Sequence, residues 1–163
     1  MRHKGFTLIE LLMVIVLLAY AAQYVTAQLN LGGMRLETAA RRIAMDIQYA
    51  QSLAMSTRSS QRYGIQFEAN PTNRYSVYQG NANTPVRDPL TQMAMRISLG
   101  TGDSQGIRIS SISIPQIEFN AFGSPLLPSG TLLSATATIT LSQVSGGSKQ
   151  IHISPTSGKV TFQ

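Results

Sequence analysis

The chain has 163 residues, room for one domain or a small domain with an appendage. It has no Cys and only two His, His3 and His152, which excludes disulfides and thiolate chemistry and leaves almost nothing for zinc. Charged residues make up 12%, about half the ordinary share, and 13 basic against 7 acidic side chains leave +6, so an anionic partner has to be weighed.

The first element is apolar. After Met1-Arg2-His3-Lys4-Gly5 a run of 17 residues, Phe6 to Ala22, has only Thr7 and Glu10 as clearly polar positions. As a helix rising about 1.5 Å per residue it spans roughly 25 Å, the depth of a thin bilayer. Arg2 and Lys4 ahead of it favour a cytoplasmic N-terminus, with the remainder outside the cytoplasm. Three segment types fit: a secretory signal peptide cut after Val25-Thr26-Ala27 and before Gln28, a plain membrane anchor, or a prepilin leader. Glu10 separates them. A carboxylate near the end of an apolar helix costs on the order of 1–3 kcal/mol, which an ordinary signal or anchor has no reason to carry.

Gln28–Gly33 interrupts the apolar run, and Gly32-Gly33 suggests a kink or a locally melted turn. Met34–Thr57 is helical by period: Leu36, Ala40, Ile43, Ile47, Ala50 and Leu53/Ala54 form one stripe. Glu37 and Arg41 stand in the favourable i,i+4 order, and Arg42 is placed to face Asp46. Strands follow. Arg62–Phe67 and Arg74–Gln79 read as a hairpin about an Asn70-Pro71-Thr72-Asn73 turn. Gly80–Pro89 is loop, Met93–Leu99 a strand, and Ile107–Ile114 an alternating strand. Ile117–Phe119 runs into an Asn120-Ala121-Phe122-Gly123 turn, Leu132–Val144 is a long strand, and Lys149–Ser154 and Lys159–Phe162 close the chain. One helix region followed by many strands predicts an α+β fold with the helix on antiparallel sheet.

Lys4-Gly5-Phe6-Thr7-Leu8-Ile9-Glu10-Leu11-Leu12 resembles the processing motif of type IV pilins and type II secretion pseudopilins. Within that family Arg41–Ser56, Ile117–Gly123 and Ile151–Val160 resemble the minor subunits of the GspH/FimT type. The resemblance implies a pilin-like fold: a leader at 1–5, a transmembrane and filament-core helix at 6–33, and a periplasmic globular domain at 34–163, with its amphipathic helix at 34–57 and its β region at 62–163. It implies cleavage between Gly5 and Phe6, methylation of Phe6, and a meeting of Glu10 with the Phe6 amine of a neighbouring subunit. At about 4 Å and an effective dielectric near 20 that pair attracts by roughly 4 kcal/mol before desolvation, so it sets register more than stability. The implied partners are other pilins, a prepilin peptidase, an inner-membrane assembly platform and, before assembly, inner-membrane lipid. No cofactor is implied.

Zero Cys departs from the disulfide-closed loop of major type IVa pilins. The 45 residues after Glu118 contain no Asp or Glu, unlike the calcium-binding loop of the major pseudopilin. Both departures favour a minor subunit. The pseudopilus-capping subunit is larger and lacks the acid found here as Glu10. Loss of Met1–Gly5 leaves 11 basic and 7 acidic side chains, a net of +4.

Signs of catalysis are few. His152 is expected on the solvent face of a strand, and Gly100-Thr101-Gly102-Asp103-Ser104-Gln105-Gly106 reads as a turn, lacking the lysine of a phosphate loop. Glu68, Asp88, Asp103 and Glu118 could form an acid pair only by accident of folding. The chain is expected not to be an enzyme. DNA is the rival partner. Lys149 and Lys159 would be its weak, salt-sensitive contacts, but Thr161 stands where the DNA-binding branch wants a second Arg. Arg35, Arg41, Arg42, Arg58 and Arg62 form a second basic group, partly neutralised, and Tyr63, Tyr75 and Tyr78 are either a stacking platform or core. The expectation is a minor subunit of a type II secretion pseudopilus. The alternatives are a minor type IV pilus subunit for priming, adhesion or DNA uptake, and a secreted binding domain freed after Ala27.

Overall fold

The computed structural model describes residues 7–28, 31–57 and 62–163. The chain divides into two compact units, Met1–Leu31 and Gly32–Gln163.

In the first unit, helix α1 runs from Leu8 to Gln28. The Glu10 N–H at the helix start is shared between the Thr7 carbonyl at 3.1 Å and the Thr7 hydroxyl at 3.3 Å, both of which accept from it. Large apolar side chains lie open all round it, from Leu8 at 83% exposed to Val14 at 45%. Among the described residues, no helix is long and apolar enough to cross a membrane.

The second unit begins with α2, Leu31–Thr57. Gly32 and Gly33 lie in its first turn and are helical, so the expected melted turn is not found at them. Residues 29 and 30, between the helices, lie outside the described residues. The strands are β1 (Tyr63–Glu68), β2 (Arg74–Gln79), β3 (Arg96–Ser98), β4 (Ile107–Ile112), β5 (Gln116–Phe119), β6 (Pro125–Leu126), β7 (Ala137–Gln143), β8 (Ser148–Ile153) and β9 (Val160–Phe162). They form two antiparallel sheets, ordered β3-β2-β1-β5-β6 and β4-β7-β8-β9. The α+β expectation holds. The stripe of α2 is buried at Leu36, Ala40, Ile43, Ile47, Ala50 and Ala54, and Leu53 packs at its margin. It shares one core with Ile65, Val77 and Ile117 of the first sheet and Ile139, Leu141 and Ile151 of the second. Each fully buried aliphatic side chain contributes about 1.5–3 kcal/mol, so this shared core holds helix and both sheets together.

Two strands are shorter than their sequence pattern. Of Leu132–Val144 only Ala137–Gln143 is strand, because the first residues serve the other sheet: Leu132 bridges Leu126, and the Leu133 N–H donates to Pro125 O at 3.1 Å. The chain changes sheet between Leu133 and Ala137, and β6, too short to show a period, is the strand it leaves. Of Met93–Leu99 only Arg96–Ser98 is strand: Met95 O still accepts from the Val77 N–H of β2 at 3.1 Å, but the Met95 N–H turns to Val86 O at 2.7 Å, and the Val86 N–H in turn donates to Val77 O at 2.9 Å.

The sheets are also joined by a side chain. Asn73 sits in the β1–β2 turn with φ +47°, a left-handed value that Asn tolerates. Its amide donates to Ile107 O at 3.0 Å and accepts from the Ile109 N–H at 2.7 Å, as a strand would along β4's outer edge.

Candidate functional site

Glu10 stands in the first turn of α1, one carboxylate on an otherwise apolar surface that includes Ile9, Leu11, Leu12 and Met13, each more than half exposed. The positive end of the helix dipole favours an acid in that turn. Gly5 and Phe6, the expected cleavage and methylation positions, lie outside the described residues, as does Arg58. Thr7-Leu8-Ile9-Glu10 also has the T-x-x-E spacing of a helix start, a signal the sequence reading passed over.

The other three motif segments converge. The α2 residue Gln51 donates from Nε2 to Gly123 O at 2.8 Å and to Ser157 O at 3.1 Å. One side chain therefore ties the helix to the turn after β5 and to the turn between β8 and β9. Both turns need glycine. Gly123 has φ +79° and Gly158 +66°, and a Cβ at Gly158 would stand 2.7 Å from Gly123 O. The Asn120 side chain stiffens the first turn by accepting from the Phe122 and Ser124 N–H groups, both at 2.9 Å. Phe122 projects from it, 89% exposed.

The acids are engaged structurally. Glu118, 6% exposed, pairs with Arg62 at 3.1 Å and accepts from the Tyr78 hydroxyl at 3.3 Å, while Gln116 donates to that hydroxyl at 2.8 Å. Gly64 lies between Tyr78 and Glu118 in the register, which leaves Tyr78 free to reach across β1. Burial pushes the Tyr78 phenol well above its usual range. Asp46 takes a 2.6 Å hydrogen bond from the Tyr75 hydroxyl. The expected facing partner, Arg42, acts on Asp46 as a nearby charge, and desolvation dominates and holds the Asp46 carboxyl above the ordinary value. Glu68 pairs with Arg74 at 2.9 Å, and Asp88 Oδ1 accepts from the Leu90 and Thr91 N–H groups. Among the described residues, no group of three His, Asp or Glu side chains could hold a metal ion.

Tyr63, Tyr75 and Tyr78 are core, the ordinary reading of them, and form no stacking platform: all three are buried. One expectation changes. His152 is half-buried rather than solvent-facing, because its cross-strand neighbour Thr138 shares a 3.2 Å hydrogen bond with Nδ1 and Nε2 is covered without a hydrogen-bond partner. The glycine-rich stretch is a turn containing the 3-10 segment Gly102–Ser104; it folds on itself, with Gly100 N–H donating to Ser104 O at 3.1 Å. Lys149 pairs with Glu37 at 2.7 Å, and Glu37 also takes Arg41 at 2.9 Å. The Lys149 hydrogen bond is the main reason the Glu37 carboxyl lies below its ordinary range. Arg41 and Lys149 both stand over the Phe162 ring, at 5.4 and 6.0 Å from its centre. Of the two lysines named for DNA, Lys159 is the exposed one.

A small cavity of about 160 Å³ opens on the flank of α2, between Thr38, Ala39 and Arg42 on one side and Ile97, Leu99 and Asp103 on the other.

Residues 39–157 match the family model described as Type II transport protein GspH, and residues 1–19 match the Prokaryotic N-terminal methylation motif. No curated protein matches the chain. The solved structures that share the fold include a minor pseudopilin and a minor pilin. The minor pseudopilin EpsH from the Type 2 Secretion System of Vibrio cholerae is 12% identical, with a TM-score of 0.56 over 79% of this chain and 96% of that one. The type IV minor pilin FimU of Pseudomonas aeruginosa strain PAO1 is 19% identical, with a TM-score of 0.52 over 78% and 92%.

Proposed function

The chain belongs to the Type II transport protein GspH family, and from that membership we propose that it is a minor subunit of a type II secretion pseudopilus, helping to move proteins across the outer membrane. One observation carries the reading: α1 is an apolar helix whose exposed surface carries a single acid, Glu10, next to a methylation-motif leader. Such a helix needs lipid first and other helices later.

The steps follow from the residues. The precursor rests in the inner membrane with Arg2 and Lys4 on the cytoplasmic side and the globular unit in the periplasm. A prepilin peptidase hydrolyses the Gly5–Phe6 peptide bond and the new Phe6 amine is methylated. The amine stays cationic, so it remains a partner for Glu10. In the fibre the carboxylate of one subunit meets the Phe6 amine of the next, which neutralises both in an apolar bundle and fixes their axial offset. The assembly platform extracts the subunit. The chain itself catalyses nothing: its acids hold the fold, as Glu118 with Arg62 and Glu68 with Arg74 illustrate.

Mass spectrometry of the mature N-terminus tests the reading. A methylated Phe6 supports it; a chain beginning at Gln28 would make the protein a secreted binding domain instead. Glu10→Ala is expected to leave processing intact and to reduce recovery in sheared fibres. Normal incorporation of that variant would remove the role given to Glu10.

A type IV pilus minor subunit is the second reading, favoured by a fold shared equally with FimU. Deletion of the gene distinguishes the two. Loss of secreted enzymes with pili intact supports the pseudopilus, and loss of piliation with secretion intact supports the pilus.

A further inference from the structure

β9 closes the second sheet on one side, with β8 as its neighbour. Gln150 and Gln163 exchange two backbone bonds, both at 3.0 Å, and His152 stands opposite Thr161. Bonding alternates along an antiparallel pair, so Thr161 and Gln163 turn their N–H and C=O toward β8. Val160 and Phe162 turn theirs the other way. Among the described residues no hydrogen bond reaches those outward groups. Two other margins are filled from within. Asn73 occupies the outer edge of β4, and Leu132 and Leu133 lie along that of β6. The open donors and acceptors of β9 recur about every 6.8 Å, the two-residue repeat of an added strand. A polypeptide answers both kinds of group. A phosphodiester backbone only accepts, and would meet the Val160 and Phe162 carbonyls with like charge.

The side chains set the charge of the partner. Lys159 is exposed at one end of β9, and Arg41 and Lys149 stand over the Phe162 ring at the other. Glu37 pairs with both of the latter and offsets one charge, and the chain after Glu118 contains no acid. Both ends of the edge are therefore cationic. A second copy would bring the same cations and be repelled, as lysines on sheet edges commonly ensure. A segment of opposite charge is drawn in. Val160 packs on the shared core, whereas Lys159 and Thr161 are exposed on the other face. The incoming strand would then set apolar side chains on the first face and acids on the second.

We propose that β9 receives an extended, acidic segment of a different protein, added as a strand along Val160–Phe162. The contact goes beyond the pseudopilus reading and needs only the folded globular unit, so its failure leaves that reading in place.

The full chain in detergent is titrated with a labelled, acetylated peptide that alternates Val with Glu, and with a twin carrying Lys for Glu. The Glu peptide is expected to bind at least about tenfold tighter. With it bound, amide exchange is expected to slow at Val160 and Phe162 and to change less at Thr161, whose N–H already bonds β8. Lys159→Glu is expected to cut the preference for the Glu peptide about tenfold. Equal binding of the twins, no binding of either, slowed exchange centred on another strand, or an unchanged preference in the variant would each overturn the proposal. Single-stranded oligothymidylate is the third probe. Slowing of Val160 and Phe162 by the oligonucleotide and not by the Glu peptide would overturn it in favour of nucleic acid.

Discussion

At position 64 the lack of a side chain lets Tyr78 lie over β1 and reach Glu118. A Cβ there would stand 2.5 Å from the Tyr78 hydroxyl and 2.6 Å from Ile117 O, and the second neighbour is backbone that cannot step aside. Gly64→Ala is therefore expected to destabilise the globular unit by about 1–3 kcal/mol, measured by urea unfolding. Asp46 offers a test by pH. Its folded carboxyl is held above the ordinary 3.8 by desolvation, so the folded state binds the proton more tightly than the unfolded chain does. The stability tied to Asp46 is then present at low pH and lost as pH rises through the folded value. Asp46→Asn cannot titrate. Its melting temperature relative to wild type is expected to climb as pH rises above the ordinary carboxylate value, and a flat difference contradicts the assignment.

At the scale of the element, Gln51 does the joining. Gln51→Ala removes two hydrogen bonds between α2 and the turns at Gly123 and Ser157, with an expected cost of about 1–3 kcal/mol. Amide exchange should quicken in both turns together, and an effect confined to one would show that they are held separately. Much of this element-level structure was legible. The period of Leu36 through Ala54 marked the buried face of α2, and the Arg74–Gln79 strand has its expected bounds, because burial on one face writes itself into a repeat. Chain order alone could not show Leu132 pairing with Leu126, since a strand that changes sheets keeps the same alternation. Nor could spacing show that three motif segments meet at Gln51, or that Tyr78 spans a glycine to reach Glu118. Those are contacts between residues 40 to 106 positions apart, and no local pattern encodes them.

For the whole molecule, the division after Leu31 separates α1 from the globular unit that carries α2 and both sheets. Among the described residues, the shared core of α2 and both sheets begins at Leu36. A chain starting at Gly32 is expected to be monomeric in size-exclusion chromatography and to melt within about 3 °C of the full chain in detergent. A large drop would show that α1 supports the globular fold. Nucleic-acid binding is read at the same scale. Lys149, one of the two lysines named for a nucleic-acid contact, is drawn to Glu37, and Arg62 to Glu118, which leaves Lys159 of the named pair to displace counterions. Duplex DNA should not be retarded at physiological salt.

The Asn73 amide also bears on storage. A sheet margin with open donors and acceptors invites another chain to zip onto it, and subunits waiting side by side in a lipid reservoir would meet in that way often. At Ile107 and Ile109 both groups are already occupied from within, by a surrogate that travels with the chain. Replacing that amide with a methyl would leave each molecule folded and its stockpile prone to clump.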